Sequence, residues 1–164
     1  MSDVPVFTIS RVFAAPIERV FDAWADSEKM ASWSGPPGAK VTPLSGAIEE
    51  GSLMHSRSDH PEMGAMHTLA LWKEVRRPDR IAWEQSFADE NGNKIRPSFF
   101  SAWPLTLLTE VDFEAVEGGT RVTLVWTPTE ATDEDLAEFA KQMGSMEMGW
   151  GGSFDKLDAM LANA

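Results

Sequence analysis

The sequence predicts an α+β domain in which a curved antiparallel β-sheet is wrapped around a long C-terminal helix. Residues 40–128 alternate apolar and polar side chains between tight turns, as antiparallel strands do. Residues 133–162 instead repeat apolar side chains every three or four positions, as an amphipathic helix does. One strand and two short helices come before the sheet region, so helices from both ends of the chain must cover its apolar face.

The N-terminal part of the chain predicts one strand followed by a helical corner. Residues 6–14 alternate apolar and polar side chains, which predicts strand 1. Pro16 then favours a helix start, because the first helical position needs no backbone N–H. The apolar spacing predicts two short helices after strand 1, over 17–25 and 28–33. The Gly-Pro-Pro-Gly sequence at 35–38 excludes regular structure beyond them.

Most of the central chain predicts strands separated by turns. Gly, Pro, Asp and Asn occupy these turns, where they tolerate or impose sharp bends. The clearest hairpin turns at Gly118-Gly119. Residues 95–104 are irregular and aromatic, which favours a loop over the mouth of a cavity. The predicted strands cover residues 40–44, 47–49, 52–58, 66–76, 80–88, 105–116 and 120–128.

The last segment predicts a single helix over residues 133–162. Thr132 supplies a capping hydroxyl, and three acidic residues follow it at the positive end of the helix dipole. Gly149, Gly151 and Gly152 lie inside this helix, and each costs roughly 1 kcal/mol relative to alanine. They therefore indicate a kink, space for a ligand or close packing of the sheet. The apolar stripe consists of Leu136, Phe139, Met143, Met146, Trp150, Phe154, Leu157 and Leu161.

The composition fits a single soluble domain over residues 1–164. The net charge of −12 argues against nucleic acid and anionic membrane partners, whose charges would repel the protein. No apolar run reaches the roughly 20 residues of a membrane span, so no membrane insertion is expected. The chain has no cysteine and no signal-peptide pattern at its start, which makes a cytoplasmic location the default expectation.

The stripe and the strands predict a cavity between the sheet and the C-terminal helix. Nine Met and seven Trp residues without any Tyr would suit a hydrophobic or aromatic small molecule, although an ordinary packed core explains them equally well. Gln85 faces inward if Trp83 and Phe87 do, and a buried amide needs partners or a ligand. The candidate ligand-binding residues are Trp33, His67, Trp72, Trp83, Gln85, Trp103, Met143, Met146 and Trp150.

The three histidines, His55, His60 and His67, are the main candidates for chemistry. Together with Asp59 or Glu62 they could bind a metal or move a proton. Their spacing matches no zinc motif, so incidental histidines in a hairpin are the favoured interpretation. His67 could still point into the cavity as a base or a ligand hydrogen bond. No metal, cofactor or catalytic residue is therefore assigned.

Four short motifs resemble one known superfamily in their order and spacing. They are residues 13–24 (FAAPIERVFDAW), 33–36 (WSGP), 119–124 (GTRVTL) and 148–150 (MGW), the last followed by Leu157. Over residues 6–162 the chain resembles the helix-grip, START-like superfamily, also called SRPBCC. Within it, the chain is similar to the activator of heat-shock-protein-90 ATPase homologue-like branch. The resemblance implies a cavity between sheet and helix, often for a hydrophobic small molecule, and no universal catalytic motif.

Three functions follow from this resemblance, because the superfamily includes lipid binders, aromatase/cyclase-type proteins, toxin-sequestering proteins and co-chaperone modules. Binding of a hydrophobic or aromatic small molecule is the first hypothesis. A cyclase- or hydrolase-like enzyme that uses the same cavity is the second. A chaperone-binding module is the third, and it is weakened because the chain has no room for the extra N-terminal domain of eukaryotic co-chaperones. A homodimer is left open.

Overall fold

The computed structural model describes residues 4–34, 38–62, 64–97 and 100–162. Within these ranges the chain forms one eight-stranded sheet and four helices. None of these helices combines the length and the apolar character that crossing a membrane requires. The elements in chain order are β1 (Phe7–Phe13), α1 (Ile17–Ala25), α2 (Ser27–Trp33), β2 (Lys40–Ser45), β3 (Leu53–His60), β4 (Gly64–Arg76), β5 (Arg80–Ala88), β6 (Lys94–Ile95), β7 (Thr106–Val116), β8 (Gly119–Thr129), α3 (Asp133–Lys141) and α4 (Met143–Ala162).

The sheet is antiparallel throughout and has the strand order β1-β8-β7-β5-β4-β3-β2, with β6 paired beside β5. β1 and β2 follow one another along the chain but form opposite edges of the sheet. The segment between them, which includes α1 and α2, therefore crosses from one edge to the other. α4 contacts both β1 and α2. The predicted α+β helix-grip fold, with two short helices after the first strand, is confirmed.

Local signals set the helical corner. α1 begins directly after Pro16 and buries Val20, Phe21 and Trp24 on one face. The carboxylate of Asp26 then accepts hydrogen bonds of 3.0 and 3.1 Å from two backbone N–H groups in the first turn of α2. This side-chain cap starts a new helix at a changed angle, and it turns the chain across the sheet.

The core lies between the inner face of the sheet and the helices α1 and α4. Phe13 meets Phe154 edge-on with ring centroids 5.4 Å apart, and Phe21 meets Phe113 in the same way at 5.2 Å. Phe154 and Leu157 of α4 are fully buried. Each such side chain contributes about 2–3 kcal/mol through burial, so this end of α4 is the part held most firmly to the sheet.

The single helix predicted over 133–162 is wrong in one respect, because α3 and α4 are separate helices. At Gln142 the backbone (φ −92°, ψ 9°) leaves the helical range, and its N–H is shared between the carbonyl oxygens of Glu138 and Phe139. The glycines do not break the helix. α4 runs without interruption through Gly149 and Gly151.

Two further differences concern short segments. Residues 47–49, predicted as a strand, form a bend in which Ile48 packs into the core. β6 was not predicted: only Ile95 of its two residues lies in the segment predicted to be irregular, and two residues are too few to give a sequence pattern. The Gly-Pro-Pro residues 35–37 and the Ser-Phe residues 98–99 of the predicted aromatic loop lie outside the described part of the chain.

Candidate functional site

A cavity of about 320 Å³ lies where strands β2–β5 face the helices α2 and α4. This volume is at the lower end of the range for small-molecule sites. Met30 of α2 and the pair Val41 and Pro43 of β2 line the side nearest the sheet edge. The cavity is therefore bounded by the helical corner, by the sheet and by the C-terminal helix.

The sheet wall of the cavity is set by the alternation of side chains along the strands. Met54 on β3, Trp72 on β4 and Trp83 on β5 all line it. Trp72 and Trp83 are direct cross-strand partners, and their ring centroids lie 4.8 Å apart. Both rings are almost fully buried, so they form a fixed aromatic part of the sheet wall.

The opposite wall belongs to α4 and contains Met146, Gly149 and Trp150. Trp150 stacks on Trp24 with centroids 6.2 Å apart and planes at 14°, and it meets Trp126 edge-on at 5.6 Å. These two contacts hold the indole of Trp150 in one orientation. A methyl group built on Gly149 would meet no atom within 4 Å, so the missing side chain leaves open space at this wall.

Gln85 places an amide in the sheet wall. Trp83 Nε1 donates to Gln85 Oε1 over 3.2 Å. An indole N–H can only donate, so this contact identifies the oxygen end of the amide. The Gln85 NH₂ group therefore lies on the other side, with two donors, and the residue borders the cavity.

His67 lies on the outer face of the sheet, away from the cavity. Its Nδ1 atom is 2.8 Å from Nε2 of His55 on the neighbouring strand. Arg57 is the direct cross-strand partner of His67, so its side chain lies on the same outer face. There its Nε donates to Asp59 over 2.9 Å. Arg57 thus borders the cavity through its backbone rather than through its charge.

Three other candidate residues lie outside the main cavity. Trp33 is fully buried against Trp24, with centroids 4.5 Å apart, and its Nε1 donates to a backbone oxygen over 2.8 Å. Trp103 borders a separate pocket of about 50 Å³, which it shares with Gln85. Met143 packs against the core near the start of α4. The structure therefore brings five of the nine candidates together at the cavity, namely Trp72, Trp83, Gln85, Met146 and Trp150.

The three histidines do not converge. His60 Nδ1 accepts from the backbone N–H of Glu62, apart from the His55–His67 pair. Across the part of the chain that the structure describes, no three His, Cys, Asp or Glu side chains come together in a way that could hold a metal ion.

A buried carboxylate anchors the aromatic segment before β7. Asp135 completes a capping box with Thr132 at the start of α3. It also accepts from the backbone N–H of Trp103 over 3.0 Å and from Nη2 of Arg96 over 2.9 Å. Burial by itself would raise the pKa of Asp135, but the hydrogen bonds from Arg96 and Thr132 outweigh it and hold the pKa below its usual value. This network ties Arg96 and Trp103 to α3, and Trp103 borders the smaller pocket rather than the main cavity.

Ser56 and Thr68 also line the cavity, and the sequence did not single them out. They face each other across β3 and β4. β3 carries mostly polar residues, so its inner face could not be recognised from alternation. The only signal was the neighbouring strand, where an inward Trp72 implies an inward Thr68 four residues earlier.

A curved antiparallel sheet that grips a C-terminal helix around a cavity defines a ligand-binding or activator-type domain of the SRPBCC class. The chain belongs to the family of Activator of Hsp90 ATPase homolog 1-like proteins, whose family model matches residues 14–162. No curated protein matches the chain.

Solved structures share the fold over nearly the whole chain. The crystal structure of protein Ms6760 from Mycobacterium smegmatis has a TM-score of 0.79 and 26% identity, and the match covers 96% of this chain and 91% of that one. A solution structure of a protein from Arthrobacter aurescens has a TM-score of 0.82 and 23% identity, and the match covers 98% of this chain and 88% of that one. The crystal structure of the AHSA1 protein from Silicibacter pomeroyi has a TM-score of 0.72 and 21% identity, and the match covers 96% of this chain and 98% of that one.

Proposed function

We propose that the protein binds a hydrophobic or aromatic small molecule in the cavity between β2–β5 and α4, as a carrier or sequestering protein of the cytoplasm. One observation carries the proposal. The inner face holds an open volume of about 320 Å³ walled by aromatic and methionine side chains, although the core beside it is closely packed. Unfilled apolar volume sacrifices dispersion contacts, so a ligand that fills it would restore them.

The aromatic geometry supports a flat ligand. Trp72 and Trp83 form one wall and Trp150 forms part of the other, each fixed by neighbouring rings. Indole faces favour offset-stacked or edge-on contact with another ring. Met146 supplies an adaptable thioether beside them, which suits ligands of irregular outline.

A matched pair of glycine substitutions on α4 tests the proposal. Gly149 lines the cavity and Gly151 does not, yet an added Cβ would meet open space at both positions. The probe is N-phenyl-1-naphthylamine, an uncharged aromatic amine whose fluorescence rises in apolar surroundings. We expect Gly149→Leu to weaken its binding by about tenfold or more, because the leucine occupies the cavity. Gly151→Leu should leave binding unchanged.

Circular dichroism spectra and urea midpoints of both variants serve as the folding control. Equal probe affinity in the two variants would contradict the proposal, because the probe would then bind elsewhere. The absence of any saturable binding to the unsubstituted protein would also contradict it.

Membership of the family favours a second candidate, contact with a heat-shock-protein-90 chaperone, since the family is named for activators of that ATPase. The test measures the ATPase rate of a bacterial heat-shock-protein-90 homologue with and without the protein. A rate increase that Gly149→Leu does not change would favour an activator that acts through its surface. An unchanged rate would argue against this candidate.

A further inference from the structure

We propose that the cavity selects an uncharged planar ligand that carries a hydrogen-bond acceptor, such as a carbonyl oxygen, for the side-chain amide of Gln85. The inference rests on the proposed function and adds the chemical class of the ligand. It starts from three uncharged polar side chains, Ser56, Thr68 and Gln85, which lie in the cavity wall on adjacent strands.

Gln85 presents donors that the protein does not use. Its oxygen is occupied by the indole N–H of Trp83, which fixes the orientation of the amide. Among the described residues the one side-chain hydrogen bond of Gln85 is the bond to its oxygen, so the NH₂ group makes none. A half-buried NH₂ group that loses water to a ligand needs a new acceptor, because an unpaired buried donor costs free energy. The group therefore favours ligands with an oxygen acceptor over pure hydrocarbons.

The hydroxyl groups of Ser56 and Thr68 lie in the same cavity wall as the Gln85 amide. Ser56 and Thr68 are direct partners across β3 and β4, and Ala70, two residues after Thr68, is the partner of Gln85 on β5. Within the described residues neither hydroxyl has a hydrogen-bond partner. Ser56 and Gln85 lie on strands two spacings apart and are offset by two residues along them, which separates them by roughly 12 Å. A fused-ring ligand with oxygen substituents at both ends matches this separation and could meet both groups.

The electrostatic surroundings disfavour an ionised ligand. The guanidinium of Arg57 lies on the outer face with His67 and is paired with Asp59, so it does not offer a charge to the cavity. Lys156 Nζ donates to the backbone oxygen of Ser34, and Lys156 itself is not among the described lining residues. Arg57 is the one charged residue among the described lining residues and its guanidinium faces away, so a carboxylate that entered would lose its hydration without an opposite charge facing it. The net charge of −12 would also repel anions from the protein as a whole.

Three ligands with one ring system test this selectivity. They are 2-acetylnaphthalene, its hydrocarbon analogue 2-isopropenylnaphthalene, and 2-naphthoate, whose carboxylate is ionised at about pH 7. We expect the ketone to bind about tenfold more tightly than the hydrocarbon, and the carboxylate to bind most weakly. Gln85→Leu should bring the affinity for the ketone down to that for the hydrocarbon. The hydrocarbon itself should bind the variant at least as well as the unsubstituted protein.

Arg57→Gln is the matched control, because it removes a charge beside the cavity but on the other face of the sheet. We expect it to leave all three affinities unchanged. A preference for 2-naphthoate that disappears in Arg57→Gln would overturn the inference. Equal affinity for all three ligands would also overturn it and leave the proposed function intact. If none of the three binds, both the inference and the proposed function fail. The comparison on the unsubstituted protein is decisive even if Gln85→Leu folds poorly.

Discussion

Replacing Asp135 with asparagine removes one negative charge from the most heavily hydrogen-bonded carboxylate of the described chain. Its side chain is 3% exposed. It accepts from the backbone N–H groups of Trp103 and Thr132 at 3.0 and 2.9 Å, and from the guanidinium of Arg96 at 2.9 and 3.3 Å. Asparagine has the same shape but offers one acceptor oxygen, so its NH₂ group must face at least one of these donors.

The expected loss of stability follows from the contacts that are broken. A hydrogen bond to a charged group is worth about 1.5–3 kcal/mol, and one of the two bonds from buried backbone N–H groups is lost outright. The guanidinium of Arg96 is 46% exposed, so solvent screens its ion pair and the pair adds little to the loss. We therefore expect Asp135→Asn to lower the free energy of unfolding by about 3 kcal/mol near neutral pH.

The same variant predicts a particular dependence on pH. Because the pKa of Asp135 is held below its usual value in the folded protein, the carboxylate stabilises the fold above its unfolded pKa of about 4. This contribution is lost as the pH falls through the lower pKa of the folded state. The difference in unfolding free energy between the two proteins should be largest above about pH 5 and should shrink steadily at acid pH.

Urea unfolding followed by tryptophan fluorescence measures this difference at a series of pH values. Asp133→Asn is the matched control, because Asp133 is an exposed carboxylate in the same first helical turn. It loses the same charge beside the helix dipole and should cost only about 0.3–1 kcal/mol. Equal destabilisation by both variants, or an Asp135→Asn difference that does not change with pH, would refute the reasoning.

Two further predictions concern stability away from the cavity. Gly151→Ala should raise the free energy of unfolding by about 0.5–1 kcal/mol, because the added methyl meets open space in a helix. Gly119→Ala should lower it by about 2 kcal/mol or more, since φ is +146° and the methyl would lie 1.9 Å from the carbonyl oxygen of Phe13. Similar effects at both glycines would count against these assignments. Alanine substitutions at His55 and His67 should show a coupling of about 0.5–1.5 kcal/mol in a double-mutant cycle, and additive effects would mean that their 2.8 Å contact contributes nothing.

Two elements with a local chemical signal at both ends were predicted to the residue. The helix at 17–25 begins after Pro16 and ends before the capping residue Asp26, and both signals are readable from neighbouring residues. The strand at 80–88 is bounded by turn residues on each side. The division between α3 and α4 carried no such signal. Gln142 is an ordinary helix-forming residue, so only packing decides that the helix is interrupted there.

The candidate site was predicted only in part, because its composition also depends on packing that the sequence pattern does not show. Periodicity places Trp83 and Met146 on inward faces, and both line the cavity. It places Trp33 inward equally well, yet that side chain is buried in the core. A repeat of apolar residues distinguishes inside from outside, but it does not distinguish a packed interior from the wall of an open volume.

The sequence by itself determined the succession of one strand, two short helices, a run of antiparallel strands and a helical C-terminal segment, together with the inward stripe of that segment and the family. Those depend on spacing and turn chemistry within short segments. Only the tertiary structure decided that His67 lies on the outer face with His55, and that Ser56, Thr68 and Gln85 share one wall of the cavity. The reason is strand register. A shift of one residue exchanges the two faces of a strand, and the register between strands depends on contacts far apart in the chain.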